Sequence, residues 1–487
     1  MAGRTRSLLK ARMARSGFLL CEPLLLAVVV FAACLFGIYT RPLGFLATIW
    51  PANAIMLGLL LRRPAMRRAY SWLLAAFAYV AADLLTGSDL PKALLLNGAN
   101  IVGVGTAYLV SVRFSESVLR LRHPSSLLYI ATSAAAGAAA SGVIGGIANP
   151  IMFNGSVISG WSFWFATEFV NYVAILPVIL SAPPFRSINR TDKRFALIAS
   201  SRHALPILAL VLSAVAVIVI GGPGAIAFPV PALLWCGLAY PVFPATLLTL
   251  LFGLWSLAVI SNGYLPRVPG PFDETALVSV RLAASLIALG PIMLSIVMQN
   301  RNGLLARLHH LATHDQLTGT FNRHAFHESA QRLIAVQSKP VAVFMIDLDH
   351  FKAVNDSHGH AAGDEVLVSC AERVRDCLRP CDAFGRIGGE EFAAVIVDCP
   401  EAKAAGVAER IRNAIAGEPV LLADGGLLTV TVSIGVAVSA DISSASFERL
   451  LATADVALYS AKSKGRDRVE LSNCDVPALI PRTADLR

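Results

Sequence analysis

The chain has 487 residues, 55% of them hydrophobic and only 15% charged, with a mean hydropathy of +0.63. This excludes a disordered chain and is too apolar for a wholly soluble one, so most of the protein is expected in lipid. Up to residue 300 there are 21 Lys and Arg against 8 Asp and Glu, and beyond it 20 against 24, so the net charge of +9 belongs to the apolar part. Basic residues of multi-span chains collect in cytoplasmic loops, and nucleic acid is not the partner this charge indicates.

Residues 1–16 form a basic arm, with Arg4, Arg6, Lys10, Arg12 and Arg15 ahead of an apolar run from Gly17. The pattern is that of a signal peptide, but more apolar runs follow at once and no small-residue cleavage site is evident, so it reads as a retained first span with the arm cytoplasmic. Runs suited to crossing a hydrocarbon core, which takes roughly 20 residues, lie near 17–38, 43–61, 69–86, 93–112, 125–147, 161–181, 204–221, 243–261 and 276–298, with a shorter one at 225–241. The loops Arg62 to Arg68, Arg113 to His123 and Arg186 to Arg202 are basic and read as cytoplasmic, whereas Ser261 to Thr275 lacks that bias and reads as external. Counting the short run gives about ten spans over 17–298 and returns the chain to the cytoplasm.

Polar groups within these runs are Asp83, Asn97, Asn100, Glu168, Asn171 and Arg281. An ionisable group in hydrocarbon is costly unless it is paired or faces a cavity, so a ligand pocket and interhelical hydrogen bonding are both open. The segments Trp50-Pro51-Ala52-Asn53-Ala54 and Trp164 to Pro177 (WFATEFVNYVAILP) resemble the type-one membrane-associated sensor domain of bacterial signalling proteins. That resemblance implies an input module for an unknown sensory ligand or membrane partner. No paired broken helices or repeat point to a transporter. The eight cysteines include no C-x-x-C pair and no His at zinc-ligand spacing, as expected of reduced thiols.

Residues 299–315 read as a signalling helix, with Leu304, Leu308 and Leu311 on one face and Arg301, Arg307 and His310 elsewhere. Beyond it, periodicity predicts helix 323–337, strand 341–348, helix 361–378, strands 383–387 and 391–397, helix 401–416, strand 428–438, helix 447–463 and strand 467–470. This βα alternation around one hairpin predicts an α/β sandwich containing antiparallel strands. Gly388-Gly389 reads as a two-residue turn of type I′, with positive φ available to both glycines. Asp347 and Asp349 fall on one face at a strand exit, and Glu390 and Glu391 follow the turn. One glutamate beside Asp347 would supply hard oxygen ligands for Mg²⁺, and clustered carboxylates suggest metal-assisted phosphoryl transfer.

Five segments in order carry a specific resemblance: Asp315-Gln316-Leu317-Thr318-Gly319 with Asn322-Arg323; DLDHFKAVNDSHGHAAGD from Asp347 to Asp364; GGEEF from Gly388 to Phe392; TVSIGVA from Thr431; and ADVALYSAKSKGRDRV from Ala454 to Val469. They closely resemble the GGDEF-domain family of diguanylate cyclases, over about residues 310–472. The resemblance implies a cytosolic domain (316–472) with a nucleotidyl-cyclase-like, ferredoxin-like core that joins two GTP into cyclic di-GMP, following a polytopic α-helical membrane domain of the bacterial inner membrane. A tail, 473–487, carries no legible motif.

The same resemblance implies the site. Asp347, the carbonyl of Leu348 and Glu390 would hold Mg²⁺, with Mn²⁺ as the alternative ion. Glu391 would help activate the ribose 3′-hydroxyl, with Glu390 sharing the catalytic role, and Lys352 follows the strand at a point suited to phosphate. Asn355 and Asp364 would bind the guanine edge, which an amide and a carboxylate can satisfy. His360 matches a substrate-contacting position, and His350 and His358 match none. Lys462 and Arg466, four apart at the end of the last long helix, would neutralise the triphosphate. Arg379 and Asp382 match a product-inhibition motif. Each domain would hold one GTP, so a homodimer through this domain and the linker helix is implied. The alternative is a catalytically silent receptor for GTP or cyclic di-GMP.

Overall fold

The computed structural model describes residues 2–40, 49–184, 201–261, 274–335, 339–439 and 446–473. The predicted loop 186–202 lies mostly, and the loop 261–275 and the tail 473–487 almost wholly, outside the described residues. The chain divides into two compact units, Met1–Gly303 and Leu304–Arg487.

The first unit is all helical: α1 (Ala2–Tyr39), α2 (Pro51–Arg62), α3 (Ala69–Leu85), α4 (Leu90–Ser111), a single turn α5 (Glu116–Leu119), α6 (Ser126–Met152), α7 (Val157–Ser181), α8 (Ser201–Ile220), α9 (Val230–Ala239), α10 (Val242–Ser261) and α11 (Glu274–Thr313). Every apolar run of the sequence coincides with a helix. Among the described residues six are long and apolar enough to cross a membrane, and four apolar helices of 10–17 residues are shorter. The described residues of the run at 43–61 form the 12-residue α2, nine of whose residues are buried within the unit. Lipid-type exposure lies on other helices, as at Phe77 (73% exposed) and Ile158 (81%). On α6 the buried face is built of Gly137, Ser141, Gly145 and their neighbours, and Gly137 lies against Gly103 and Ala107 of α4, the close approach that small residues permit.

The in-span polar residues meet one another. Asn53 Nδ2 donates to Glu168 Oε2 (2.8 Å) and Asn100 Oδ1 (3.0 Å), while Tyr79 OH donates to Asn53 Oδ1 (2.6 Å). Asn100 Nδ2 continues the chain to Asn97 Oδ1 (3.1 Å), and Asn97 Nδ2 donates to Asp83 Oδ2 (2.7 Å). Asn171 Oδ1 accepts from the Trp50 amide (3.2 Å), and Arg281 Nη1 donates to Thr167 Oγ1 (2.5 Å) over the Phe163 ring. Each of these groups therefore has a hydrogen-bond partner on another segment of the unit.

The second unit contains α12 (Arg323–Ala335), β1 (Val341–Leu348), α13 (Phe351–Asp376), β2 (Ala383–Arg386), β3 (Glu391–Val397), α14 (Glu401–Ala416), β4 (Val420–Leu421), β5 (Leu427–Leu428), β6 (Val432–Ser439), α15 (Phe447–Ser463) and β7 (Val469–Asn473). The five-stranded sheet has the order β2-β3-β1-β6-β7, antiparallel except for the β6–β7 pair. This is the expected ferredoxin-like core with one extra edge strand. β1 is buried along its whole length. Its Ala342, Phe344, Ile346 and Leu348 pack with α13 and α14, and its Val341, Val343 and Met345 with α12 and α15.

Two predicted boundaries change. The strand expected at 428–438 is two, because Leu427–Leu428 pairs with Val420–Leu421 in a separate small ribbon and the long strand starts only at Val432. The helix expected from 361 begins at Phe351 and is broken at Gly359 (φ 81°), whose backbone conformation only glycine adopts without strain. Asn322 caps α12 by accepting from the Ala325 amide (3.0 Å) and also donates to the Ala312 carbonyl (2.7 Å), which fastens the start of the domain.

Candidate active site

The period of two in β1 decides what Asp347 faces. It follows Val341, Val343 and Met345 onto the α15 side of the sheet, and the register sets it opposite Glu391 of β3 and Ser433 of β6. Lys462 in the last turn of α15 reaches it there, with Nζ 2.8 Å from Asp347 Oδ2. Burial pushes the Asp347 carboxyl above its ordinary range, against the opposing hydrogen bond and charge of Lys462. Burial likewise raises Glu390, helped by the Asp347 charge. Two carboxylates whose ionised forms are disfavoured make a place where a divalent cation would be stabilising.

Among the described residues no three His, Cys, Asp or Glu side chains converge as a metal site. The set expected from the sequence is two carboxylates, Asp347 and Glu390, plus the Leu348 carbonyl, and it would suit an ion that takes few protein oxygens and completes its shell with water or phosphate.

Asp349 shares the face of Asp347 but serves another purpose. Its Oδ1 accepts from Ser433 Oγ (2.7 Å), and its Oδ2 from Thr431 Oγ1 (2.8 Å) and the Asp467 amide (3.0 Å). The carboxylate ties β6 to the turn after α15. His350, between Asp349 and α13, takes the left-handed conformation (φ 57°) that turns strand into helix.

Arg466 follows the last helix, whose end falls where the sequence set it. α15 ends at Ser463, and the Arg466 amide donates to the Ala461 carbonyl (3.1 Å) while the Gly465 amide donates to that of Lys462 (3.4 Å). This paired closure of a helix C-terminus leaves Arg466 at φ 62°. It is near enough for its charge to act on Asp347.

The hairpin turn also differs from expectation. Neither Gly388 nor Gly389 has positive φ. The Ile387 and Gly388 amides both donate to the Glu391 carbonyl (2.9 and 3.3 Å), a bulged closure with Gly389-Glu390 at the tip. A side chain does the work assigned to turn type: Arg386 Nε and Nη2 both donate to the Gly389 carbonyl (3.1 and 2.6 Å). Arg386 Nη1 in turn contacts Asp315 Oδ1 and Oδ2 (3.1 and 3.4 Å). Burial would raise the Asp315 carboxyl, but two hydrogen bonds from Thr318 and the contact with Arg386 hold it below its ordinary range.

Asn355 lies in the first segment of α13, and the break at Gly359 folds the second segment back on it. A Cβ on Gly363 would collide with the Asn355 amide, so the missing side chain lets Asn355 sit against the residue preceding Asp364. Asn355 is half-buried, and Asp364, His360 and Lys352 are exposed. Arg379 and Asp382 close a turn, with the Arg379 amide donating to Asp382 Oδ2 (2.8 Å). They line a cleft of about 390 Å³ with Arg375, His314, Phe321 and Phe384.

The bracing role of Arg386 and the structural role of Asp349, which the sequence had paired with Asp347, were not anticipated by sequence reasoning. The signals were present, as Arg two residues before Gly-Gly and as Thr431 and Ser433 in alternation, but their meaning depends on which strand lies beside which.

Known proteins resemble this chain. The family described as diguanylate cyclase, GGDEF domain, matches residues 312–468. A protein named probable diguanylate cyclase DgcF from Escherichia coli O157:H7 is 28% identical over 461 residues, 94% of this chain and 96% of that protein. Its namesake from Escherichia coli strain K12 is 31% identical over 308 residues, 63% of this chain and 95% of that protein. Among solved structures, the GGDEF domain of DgcB from Caulobacter crescentus in complex with c-di-GMP is 31% identical, spanning 34% of this chain and 97% of that one with a TM-score of 0.32.

Proposed function

The chain belongs to the GGDEF diguanylate cyclase family, and from that premise we propose that it condenses two GTP into cyclic di-GMP, releasing two pyrophosphates, at a bacterial inner membrane under control of its helical unit. The observation that carries the reading is the convergence of Asp347, Glu391 and Lys462 at one sheet exit, with Glu390 in the adjoining turn.

Asp347, Glu390 and the Leu348 carbonyl would hold Mg²⁺ or Mn²⁺, which when bound would supply positive charge to the triphosphate and the departing pyrophosphate. Asn355 and Asp364 read the guanine edge from the two segments of α13, with His360 contacting the substrate beside them. Lys462, Arg466 and Lys352 neutralise phosphate oxygens. Glu391 takes the proton of the ribose 3′-hydroxyl as that oxygen bonds to the α-phosphorus of the second GTP and the bond to pyrophosphate breaks. Each domain supplies one nucleotide, so two copies must face each other, and orientation carries much of the rate. The cleft at Arg379 and Asp382 takes the product as an inhibitor. The helix at 299–315, whose Leu304, Leu308 and Leu311 are exposed, joins the two copies and transmits the state of the membrane unit.

The test is GTP turnover with Mg²⁺ by the full chain in membranes, beside Glu391→Gln, with product identified by mass. Cyclic di-GMP from the wild type and none from the variant is expected. Dimers that bind GTP and never yield product, even when the helical unit is deleted, would overturn the enzyme reading in favour of a receptor.

A further inference from the structure

The C-terminal ends of α2, α4 and α7 meet around a cleft of about 270 Å³ that the chemistry above does not use. Arg62, Arg67 and Arg120 line it, with Glu116 as the acidic group. Its remaining wall is apolar, including Val112, Phe114 and Leu119 on the segment after α4.

The guanidinium groups are fixed in place. Arg62 donates from both terminal nitrogens to the carbonyls of Ile179 and Ala182 at the end of α7. Arg67 Nε and Nη2 donate to Leu60 and Leu61 carbonyls (3.0 and 2.7 Å) at the end of α2. Arg120 holds Glu116 with Nε and Nη2 (both 3.0 Å), one turn apart in sequence. Capping the helix ends explains why arginines stand here, but each retains donors outside those bonds. Arg62 and Arg120 are also close enough to repel, and one carboxylate faces three cations. The cleft thus carries a net charge of two, which an anion would offset.

The apolar wall says which anion. Beyond the cleft the outer faces of α4 and α6 are exposed hydrocarbon, with Leu109 62% and Leu128 59% exposed. In a bilayer these faces are lined by acyl chains, so a phospholipid seated here would place its phosphate among the arginines and its chains along them, whereas a soluble ester would use only the arginines. We propose that this cleft binds the phosphate of an anionic phospholipid in the cytoplasmic leaflet, seating the membrane unit against one class of lipid headgroup. The inference rests on the reading of this unit as membrane-embedded with its arginine-rich loops inside. Basic pockets between helix ends on that side suit such headgroups.

The full chain is purified in nanodiscs of phosphatidylcholine with and without phosphatidylglycerol, and retained lipid is measured by native mass spectrometry. The wild type is expected to retain phosphatidylglycerol preferentially. Each guanidinium lost should lower that preference roughly fivefold, and the pair about 25-fold. Arg120→Gln breaks only an exposed pair with Glu116 and should show the single effect without disturbing a helix end. Arg67→Gln with Arg120→Gln should show the double effect. Arg113→Gln with Arg122→Gln removes equal charge at the same end but outside the cleft and should leave the preference within about twofold.

No preference in the wild type, or an equal loss in the control pair, overturns the proposal. Displacement of the lipid by glycerol phosphate overturns the choice of lipid over a soluble ester. Pelleting of the chain with carbonate-washed membranes is scored first. A chain that washes off refutes the membrane reading itself, and an inserted chain with no lipid preference refutes this site alone.

Discussion

Arg386 spans two parts of the domain that the sequence separates by some seventy positions, and its loss should act on chemistry more than on nucleotide affinity. In Arg386→Gln the Gly389 carbonyl loses both of its side-chain donors and Asp315 loses its cation. Side-chain exposures of 16% for Arg386 and 25% for Asp315 place the pair between a surface ion pair, worth at most about 1 kcal/mol, and a buried one, where removing a partner costs roughly 3–5 kcal/mol. Exposed Gly389 can take water in exchange, so about 2 kcal/mol in total is the expected loss. For a domain of this size that is a fall in Tm of about 4–8 °C.

The larger effect is positional. Glu390 stands at the tip of the turn that Arg386 holds and Glu391 directly follows it, and a displacement of about 1 Å costs on the order of 100-fold in rate. KM for GTP should change little, because Asn355 and Asp364 lie on α13 and not on the hairpin. The assay is steady-state cyclic di-GMP synthesis by Arg386→Gln, Asp315→Asn and the double variant. If the two residues act as one brace, the double variant is scarcely worse than Arg386→Gln, a clear departure from additivity. A kcat within twofold of wild type in Arg386→Gln, or a rise in KM alone, would refute the positioning argument even if stability fell as expected.

Replacing Asp349 by Ala leaves Thr431, Ser433 and the Asp467 amide without their common acceptor. It should lower stability by roughly 2–4 kcal/mol and loosen the turn carrying Arg466, read as a lower Tm and faster amide exchange at 465–468. Asp347 and Glu390 both have raised pKa values, so the stability they contribute is fully present below the ordinary carboxylate range and is lost as pH rises through the raised values. Mg²⁺ should accordingly raise Tm more at about pH 8 than at about pH 5, and an equal shift at both would show that these carboxylates are not where the ion binds. In Lys462→Met the Asp347 carboxyl loses the hydrogen bond and the charge that do most to pull its pKa down, and the onset of Mg²⁺ stabilisation should move to higher pH, followed by differential scanning fluorimetry. Gly363→Ala drives a methyl into the Asn355 amide and should raise KM for GTP by about tenfold, the loss of one polar contact to the base; an unchanged KM would separate Asn355 from base recognition.

Much of this protein is written locally in its sequence. Hydrophobic periodicity placed β1, β3, α14 and α15 within a residue or two of where they lie, because each buries a face whose period is a property of the backbone itself. The apolar runs likewise became helices, and the ordered motifs identified the family.

Tertiary structure decided what depends on one element meeting another. Whether Asp347 or Asp349 is available for chemistry follows from Thr431, Ser433 and Asp467 capturing one and Lys462 reaching the other. That choice exists only once β6 and α15 are packed on β1. The Gly-Gly turn carried the right residues for positive φ, yet the brace from Arg386 stabilises a different closure, so a local preference of about 1 kcal/mol yielded to charge-assisted hydrogen bonds fixed by the fold. Spacing set Arg466 at the end of a helix, and the hydrogen bonds that close that end fix its backbone. The polar groups among the apolar helices read as isolated costs along the chain and became a connected network once α2, α3, α4 and α7 were side by side. Periodicity reports which way a residue faces, whereas the identity of what it faces is set by register and packing between segments far apart in the chain.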